Sequence, residues 1–242
     1  MKHIYSNLII LSLVIISFSS CKKVEFKFGS GEIISQTLTV PSFTAIDATA
    51  ADTVIITQGA VQKIEATGHT NILENLNLDV TDGTWKIFIK NGNYKHYDLV
   101  IHITVPNITA IHVMGNGVIF LNDFVNQSTL DLSVDGAGQI TMGTIEGATS
   151  LSAAINGAGK IICLKNTLSM NTLNIDINGS GSYLGFYLFA KECNVVIAGI
   201  GFCEVYVTEK LDIVLNGDGG VYYRGAPVIT QDINGYGIVQ PQ

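Results

Sequence analysis

An all-β solenoid with rungs of roughly 20 residues is the fold this sequence predicts. Three observations carry it. The first is a Gly-x-Gly frame that occurs seven times in the second half of the chain. Its copies are Gly115-Asn116-Gly117, Gly136-Ala137-Gly138, Gly157-Ala158-Gly159, Gly179-Ser180-Gly181, Gly199-Ile200-Gly201, Gly217-Asp218-Gly219 and Gly235-Tyr236-Gly237. Successive first glycines are 21, 21, 22, 20, 18 and 18 residues apart. The second observation is a pair of apolar columns in register with that frame. Two residues before the first glycine stand Val113, Val134, Ile155, Ile177, Ile197, Leu215 and Ile233. Four residues after it stand Ile119, Ile140, Ile161, Tyr183, Cys203, Val221 and Val239. The third is that no long stretch beyond residue 20 shows capped helical periodicity.

Residues 1–20 read as an export signal. Lys2 and His3 precede an apolar or hydroxylic run, Leu8 to Phe18, that is too short to span a bilayer as a permanent helix. The run ends in Ser19-Ser20-Cys21, similar to a bacterial lipobox, with Phe18 where Leu is more usual. Two readings stand: lipidation of Cys21, which anchors the protein to a membrane outside the cytoplasm, or a plain secretory signal cleaved nearby. Residues 21–39 read as a lipidated tether in which Gly29-Ser30-Gly31 is flexible spacer.

The solenoid domain is expected over residues 40–242. Up to Val105 its glycine frame is degenerate and its strands are longer. Two β-rich runs, Leu76 to Thr81 and Thr84 to Lys90, flank Asp82-Gly83, a pair suited to the positive φ angles of a tight hairpin. Leu99 to Val105 is a further strand, stopped by Pro106. From Ala110 onward side chains alternate between faces, so each rung sends its aliphatic residue inward. The residue just before the glycine then points outward. That outward column reads Met114, Asp135, Asn156, Asn178, Ala198, Asn216 and Asn234, and its asparagines predict a stacked amide ladder. A sugar-binding stripe is the sharper reading of the same column, because spaced amides and aromatics suit hydroxyls and ring faces. The glycines are corners, where a side chain would collide with the next rung or force an unfavourable φ.

Composition narrows the partners. Residues 1–20 hold one Lys and no acid, leaving 12 basic and 20 acidic side chains, a net charge of −8. An acidic chain without a Lys/Arg cluster argues against nucleic acid and against an anionic membrane surface. Cys163, Cys193 and Cys203 form no metal-type pair and read as buried free thiols, with a disulfide through Cys193 the alternative. Cys163 and Cys203 are expected at one repeat position, two rungs apart.

No chemistry-bearing constellation emerges, and neither a metal nor a cofactor is expected. Gly217-Asp218-Gly219-Gly220 is superficially similar to a calcium nonapeptide, but that device works by repeating its Asp each turn, and here it occurs once. His102 and His112 lie on successive strands and are expected as neighbours on one outer face, a poor metal pair without a third ligand. No nucleophile elbow with His and Asp partners is present. Tyr183, Phe186, Tyr187, Tyr206, Tyr222, Tyr223 and Tyr236 give the C-terminal half an aromatic excess, read mainly as packing.

With these marks in hand, the chain resembles the autotransporter-adhesin "head GIN" family, exported β-solenoid proteins of Bacteroidetes-type bacteria. The resemblance runs from about Val40 to Gln242. It rests on Phe43-Thr44-Ala45-Ile46, Val54-Ile55-Ile56-Thr57-Gln58-Gly59, Val80-Thr81-Asp82-Gly83-Thr84, the glycine rungs and the closing Tyr222-Tyr223-Arg224-Gly225-Ala226-Pro227. Ala50-Ala51-Asp52 departs from it, since members usually carry a glycine there, and is expected to loosen the first corner. The resemblance implies a right-handed solenoid, an adhesive role and no catalytic residues. Three functional classes follow: an outer-membrane lipoprotein binding a host or envelope glycan or protein, an architectural envelope lipoprotein with no diffusible ligand, and, last, a carbohydrate-active β-helix enzyme. Exposed rung ends leave room for a homo-oligomer.

Overall fold

The strands on either side of the glycine corner build two long parallel ladders. The structure is a computed structural model and describes residues 25–165 and 167–242. The signal segment and Cys21 lie outside them. The elements before the regular repeat are β1 (Phe26–Phe28), β2 (Ile33–Leu38), β3 (Ala45–Ala48), β4 (Thr53–Gln58), β5 (Lys63–His69), α1 (Thr70–Glu74), β6 (Val80–Thr81), β7 (Thr84–Ile87), β8 (Asn93–Lys95) and β9 (Leu99–Val105). The regular rungs comprise β10 (Ala110–Gly115), β11 (Val118–Leu121), β12 (Thr129–Gly136), β13 (Gln139–Met142), β14 (Ser150–Gly157), β15 (Lys160–Cys163) and β16 (Thr167–Gly179). They continue with β17 (Ser182–Gly199), β18 (Phe202–Gly217), β19 (Gly220–Arg224), β20 (Val228–Asn234) and β21 (Ile238–Pro241).

The first face runs β7, β3, β10, β12, β14, β16, β17, β18, β20, all parallel. The second runs β9, β4, β11, β13, β15, β17, β18, and then β19 and β21, also parallel. Val113, Val134, Ile155, Ile177, Ile197 and Leu215 stack inside the first face and are all but inaccessible. The column from Ile119 to Val221 does the same inside the second. Such columns and the rung-to-rung hydrogen bonds supply the stability, because each rung buries its apolar side only against its neighbours.

The two glycines of a frame do different work. Gly157 has φ +122, and a Cβ there would stand 2.6 Å from the carbonyl oxygen of Gly136 on the rung below. Gly138 needs no positive φ, but a Cβ would meet the Val113 side chain at 2.6 Å. The first is required by conformation and space, the second by space alone.

The base of the stack departs from simple sequence order. Rung β3/β4 is first in the chain, yet β7 and β9 slide beneath it and become the outermost parallel strands. Antiparallel β5 then covers β9, β2 covers β5, and β6 folds onto β7. Asp82 and Gly83 at the β6–β7 turn have φ 51 and 73, as the Asp-Gly pair predicts. Trp85 closes the core from inside: it is fully buried, packs at a tilt against Phe43 with ring centres 5.5 Å apart, and donates its indole N–H to the Asn77 carbonyl at 3.0 Å.

Several sequence expectations are corrected here. The 21–39 segment is not all spacer, since β1 and β2 are strands. The first corner is tied rather than loosened, because Asp52 Oδ2 accepts the Leu99 N–H at 3.1 Å and the Tyr97 hydroxyl donates to the Ala50 carbonyl at 2.8 Å. Among the described residues one short helix, α1, interrupts the strands and buries Ile72 and Leu73. The thiols are free and buried, but Cys163 and Cys203 do not share a position. Cys203 stacks on Tyr183 and Ile161, whereas Cys163 stands two residues farther along its rung, on Met142. Tyr183 turns its ring over Gly185, where any Cβ would collide with it, and its hydroxyl reaches Cys163 Sγ at 3.5 Å. Burial pushes the Cys163 thiol up to about 12.

Candidate binding surface

The outward positions of the two faces differ in kind. On the first face the register aligns Asp135 with Asn156, Asn156 with Asn178, and Asn216 with Asn234. Asn156 donates to Asp135 at 2.7 Å and Asn234 to Asn216 at 3.2 Å, while Ala198 separates the two groups. A second amide pair stands four residues earlier in each rung, where Asn194 donates to Asn174 at 2.9 Å. Its signal was available, because two asparagines occupy equivalent outward positions on adjacent rungs.

His112 lies between two carboxylates from neighbouring rungs. Its Nε2 is 2.8 Å from Asp135 Oδ2 and its Nδ1 is 3.4 Å from Asp47 Oδ1. Hydrogen bonds from Asn156 and His112 hold the Asp135 carboxyl below its ordinary range. His102 does not join this group. It belongs to β9 on the second face, opposite Ile55 and Glu65, so the expected histidine pair is dissolved by the corner between the ladders. Asp218, the weak calcium candidate, accepts the Tyr236 N–H of the next rung at 3.0 Å. Among the described residues no group of three or more His, Cys, Asp or Glu is arranged to hold a metal ion. The first face thus spends much of its polar capacity on itself.

The second face mixes apolar and aromatic side chains with polar ones at its outward positions. Five residues after each first glycine the column runs Phe120, Thr141, Ile162, Leu184, Glu204, Tyr222 and Gln240, with Thr141 buried and Phe120 the most exposed of its apolar members. Phe202 stands beside it and meets Tyr222 edge to face at 6.4 Å. A shallow groove of about 270 Å³ opens there between Ile200, Phe202, Asp218, Tyr222 and Ile238. Towards the next corner the Arg224 guanidinium lies 4.1 Å over the Phe186 ring, and Glu204, Leu164 and Tyr187 help line a second groove of about 330 Å³. A third, where Lys165 meets Asp123 at 2.7 Å, lies below Phe120. The Lys165 hydrogen bond holds the Asp123 carboxyl below its ordinary range.

The aromatic residues expected from sequence divide accordingly. Tyr183 belongs to the core, Tyr206 packs edge to face on Phe189 at 4.6 Å, and Tyr223 is partly buried against the core. Phe186, Tyr187 and Tyr222 border the grooves, and Tyr236 is 88% exposed on the last corner. Phe120 and Phe202 were missed, although alternation about the inward position already places both outside. Exposed ring faces beside a guanidinium, a carboxylate and amides can stack on apolar faces and hydrogen-bond hydroxyls.

Comparison with solved structures confirms the architecture. A putative adhesin from Bacteroides fragilis superposes with a TM-score of 0.76 at 22% identity, covering 89% of this chain and 100% of its own. A putative adhesin from Parabacteroides distasonis gives a TM-score of 0.74 at 21% identity, with 90% and 100% covered. A putative lipid binding protein from the same species gives 0.63 at 20% identity, with 90% and 100% covered. Each of the three crystal chains is matched over its whole length. No curated protein matches this chain. The family model described as "Putative auto-transporter adhesin, head GIN domain" matches residues 42–227, and the chain therefore belongs to that family.

Proposed function

We propose that this protein is a lipid-anchored cell-envelope adhesion module that binds glycan through the outward side of its second face, without catalysis. The observation that carries the reading is the outward column from Phe120 to Tyr222, apolar or aromatic at Phe120, Ile162, Leu184 and Tyr222 and interrupted by Thr141 and Glu204, with Phe202, Phe186 and Arg224 beside it. Family membership supports an envelope or surface setting. Cys21 supplies the anchor, and several acyl chains on one residue hold a protein stably to a bilayer. A glycan array and cell-binding assay on residues 22–242 test the site. Retention is expected for the wild type, and Phe202→Ala with Tyr222→Ala is expected to weaken it about tenfold or more, at ~1–3 kcal/mol per stacked ring. No retention on any surface, or retention indifferent to both changes, sinks the glycan site.

The architectural reading keeps one observation in its favour, the self-paired polar groups of the first face. It predicts a periplasmic orientation. Protease or antibody access on intact cells separates the two, because an adhesin must be reachable from outside.

A further inference from the structure

The chain enters the fold through a small sheet that stands apart from both ladders. In it β1 pairs in parallel with β8, matching Phe26 with Asn93, Lys27 with Tyr94 and Phe28 with Lys95. One side of this ribbon leans on the body, where Tyr94 packs against the core and Lys27 lies 5.7 Å over its ring. Lys27 also donates to the Asn91 carbonyl at 2.7 Å, which ties the ribbon to the turn before β8. The other side faces outward. Phe26 and Phe28 are 41% and 55% exposed there, Lys95 Nζ lies 3.6 Å over the Phe26 ring, and His96 stacks on Phe28 at 5.8 Å. Ile33 and Ile34, on the edge strand that follows, are also exposed.

We infer that this ribbon is a membrane-interface platform, which seats the base of the solenoid on anionic lipid headgroups with Phe26 and Phe28 inserted. Exposed aromatic rings, one of them under the Lys95 ammonium, match the interfacial region, where rings enter the acyl boundary and an ammonium group stays among phosphates. Charge agrees. Lys27 and Lys95 stand on the ribbon with Glu25 beside them, and Lys22 and Lys23 precede it in the sequence, in an exported chain that is otherwise strongly acidic. No linear run of lysines announces the cluster, because Lys95 is brought to Lys27 only by the β1–β8 pairing. Attraction to anionic lipid at this end and repulsion elsewhere orient the molecule. Reach agrees as well. Phe26 follows Cys21 by five residues, at most about 18 Å of extended chain, so the ribbon cannot leave the neighbourhood of an acylated Cys21. That step alone rests on the lipid-anchor reading.

The test removes the anchor. Residues 22–242, which lack Cys21, are sedimented with vesicles of phosphatidylcholine containing phosphatidylglycerol, and with phosphatidylcholine alone. Binding is expected only to the anionic vesicles, falling with salt, and about tenfold or more weaker for Phe26→Ser with Phe28→Ser and for Lys27→Glu with Lys95→Glu. A Phe28→Trp reporter is expected to shift its emission to the blue on binding, since Trp85 is already buried and stays silent. No binding by the folded fragment overturns the platform, as does binding that both double variants leave unchanged. Size-exclusion chromatography showing that the double variants change oligomeric state without changing vesicle binding assigns the ribbon to a second copy and equally overturns it. Lipid attachment at Cys21 is read separately, by acyl labelling of the full chain, so either idea can fail alone.

Discussion

The two ends of the stack handle the same problem, an open parallel edge, in opposite ways. At the base, β5 and β2 cover β9, β6 folds onto β7, and Trp85 plugs the interior. At the far end, β20 pairs only with β18 and β21 only with β19 among the described residues. There the inward column of Ile213 ends in Gln231, and Pro241 on β21 brings no N–H to the edge. Covering an edge builds a second small core, whereas blunting it only discourages pairing. The base should therefore be the more stable end, and the far rung the first to open.

The largest break of this contrast is Trp85→Ala, which should cost about 3–5 kcal/mol in denaturant unfolding, from the cavity and the orphaned Asn77 carbonyl. Ile233→Ala at the far rung, where the side chain is only partly buried, should cost about 1 kcal/mol or less. An equal cost at both ends would refute the asymmetry.

Next come the glycines that join base to stack. Gly157→Ala should cost about 2–4 kcal/mol, since it adds an unfavourable φ and a collision with the Gly136 carbonyl. Gly115→Ala should cost only about 1 kcal/mol. Its φ is +87, but nothing lies within 4 Å of the added carbon, because the rung beneath carries Ala50-Ala51-Asp52 instead of a glycine frame. Equal thermal shifts for the two would mean that backbone conformation, not rung contact, selects these residues.

A subtler measure is opening. Amide exchange should be fastest in β20 and β21 and slowest in β9, and thiol reagents should label Cys163 and Cys203 only on global unfolding. Prompt labelling of either in native conditions would show that the middle of the stack breathes with its end.

The smallest effect sits at the junction, where His112 bridges Asp47 on β3 and Asp135 on β12. The Asp135 carboxyl is lowered in the folded state, so its contribution is present above the unfolded value near pH 4 and is lost as pH falls through the folded one. Asp135→Asn should lower stability slightly at neutral pH, where the carboxylate contributes, and should flatten its fall below about pH 4. An unaltered acid limb would place the acid sensitivity elsewhere, Asp123 being the next group to replace.

Local periodicity explains how much of this was legible in advance. The glycine corners, both inward columns and the Asp82-Gly83 hairpin follow from spacing and φ preference, which are properties of short segments. The swap that puts β7 and β9 beneath β3 and β4 does not, since any apolar strand could fill that slot and only the closing of the core selects it. The same limit misplaced His102, whose face depends on which ladder β9 joins. The outward column from Phe120 to Tyr222 was readable from alternation, and so was Phe202 beside it, but neither phenylalanine was among the aromatic residues singled out from the sequence. The β1–β8 ribbon had no signal, because its register couples residues far apart in the chain.

The unbroken glycine register has one further consequence. Gly136, Gly157 and Gly179 pair rung on rung without slippage, so a whole rung is an exchangeable unit of length. Inserting one near Gly157 would disturb neither ladder and would carry the far end about 4.8 Å away from the base. Duplication of a short stretch of gene thus lengthens the molecule as a ruler is lengthened, leaving its two ends unchanged.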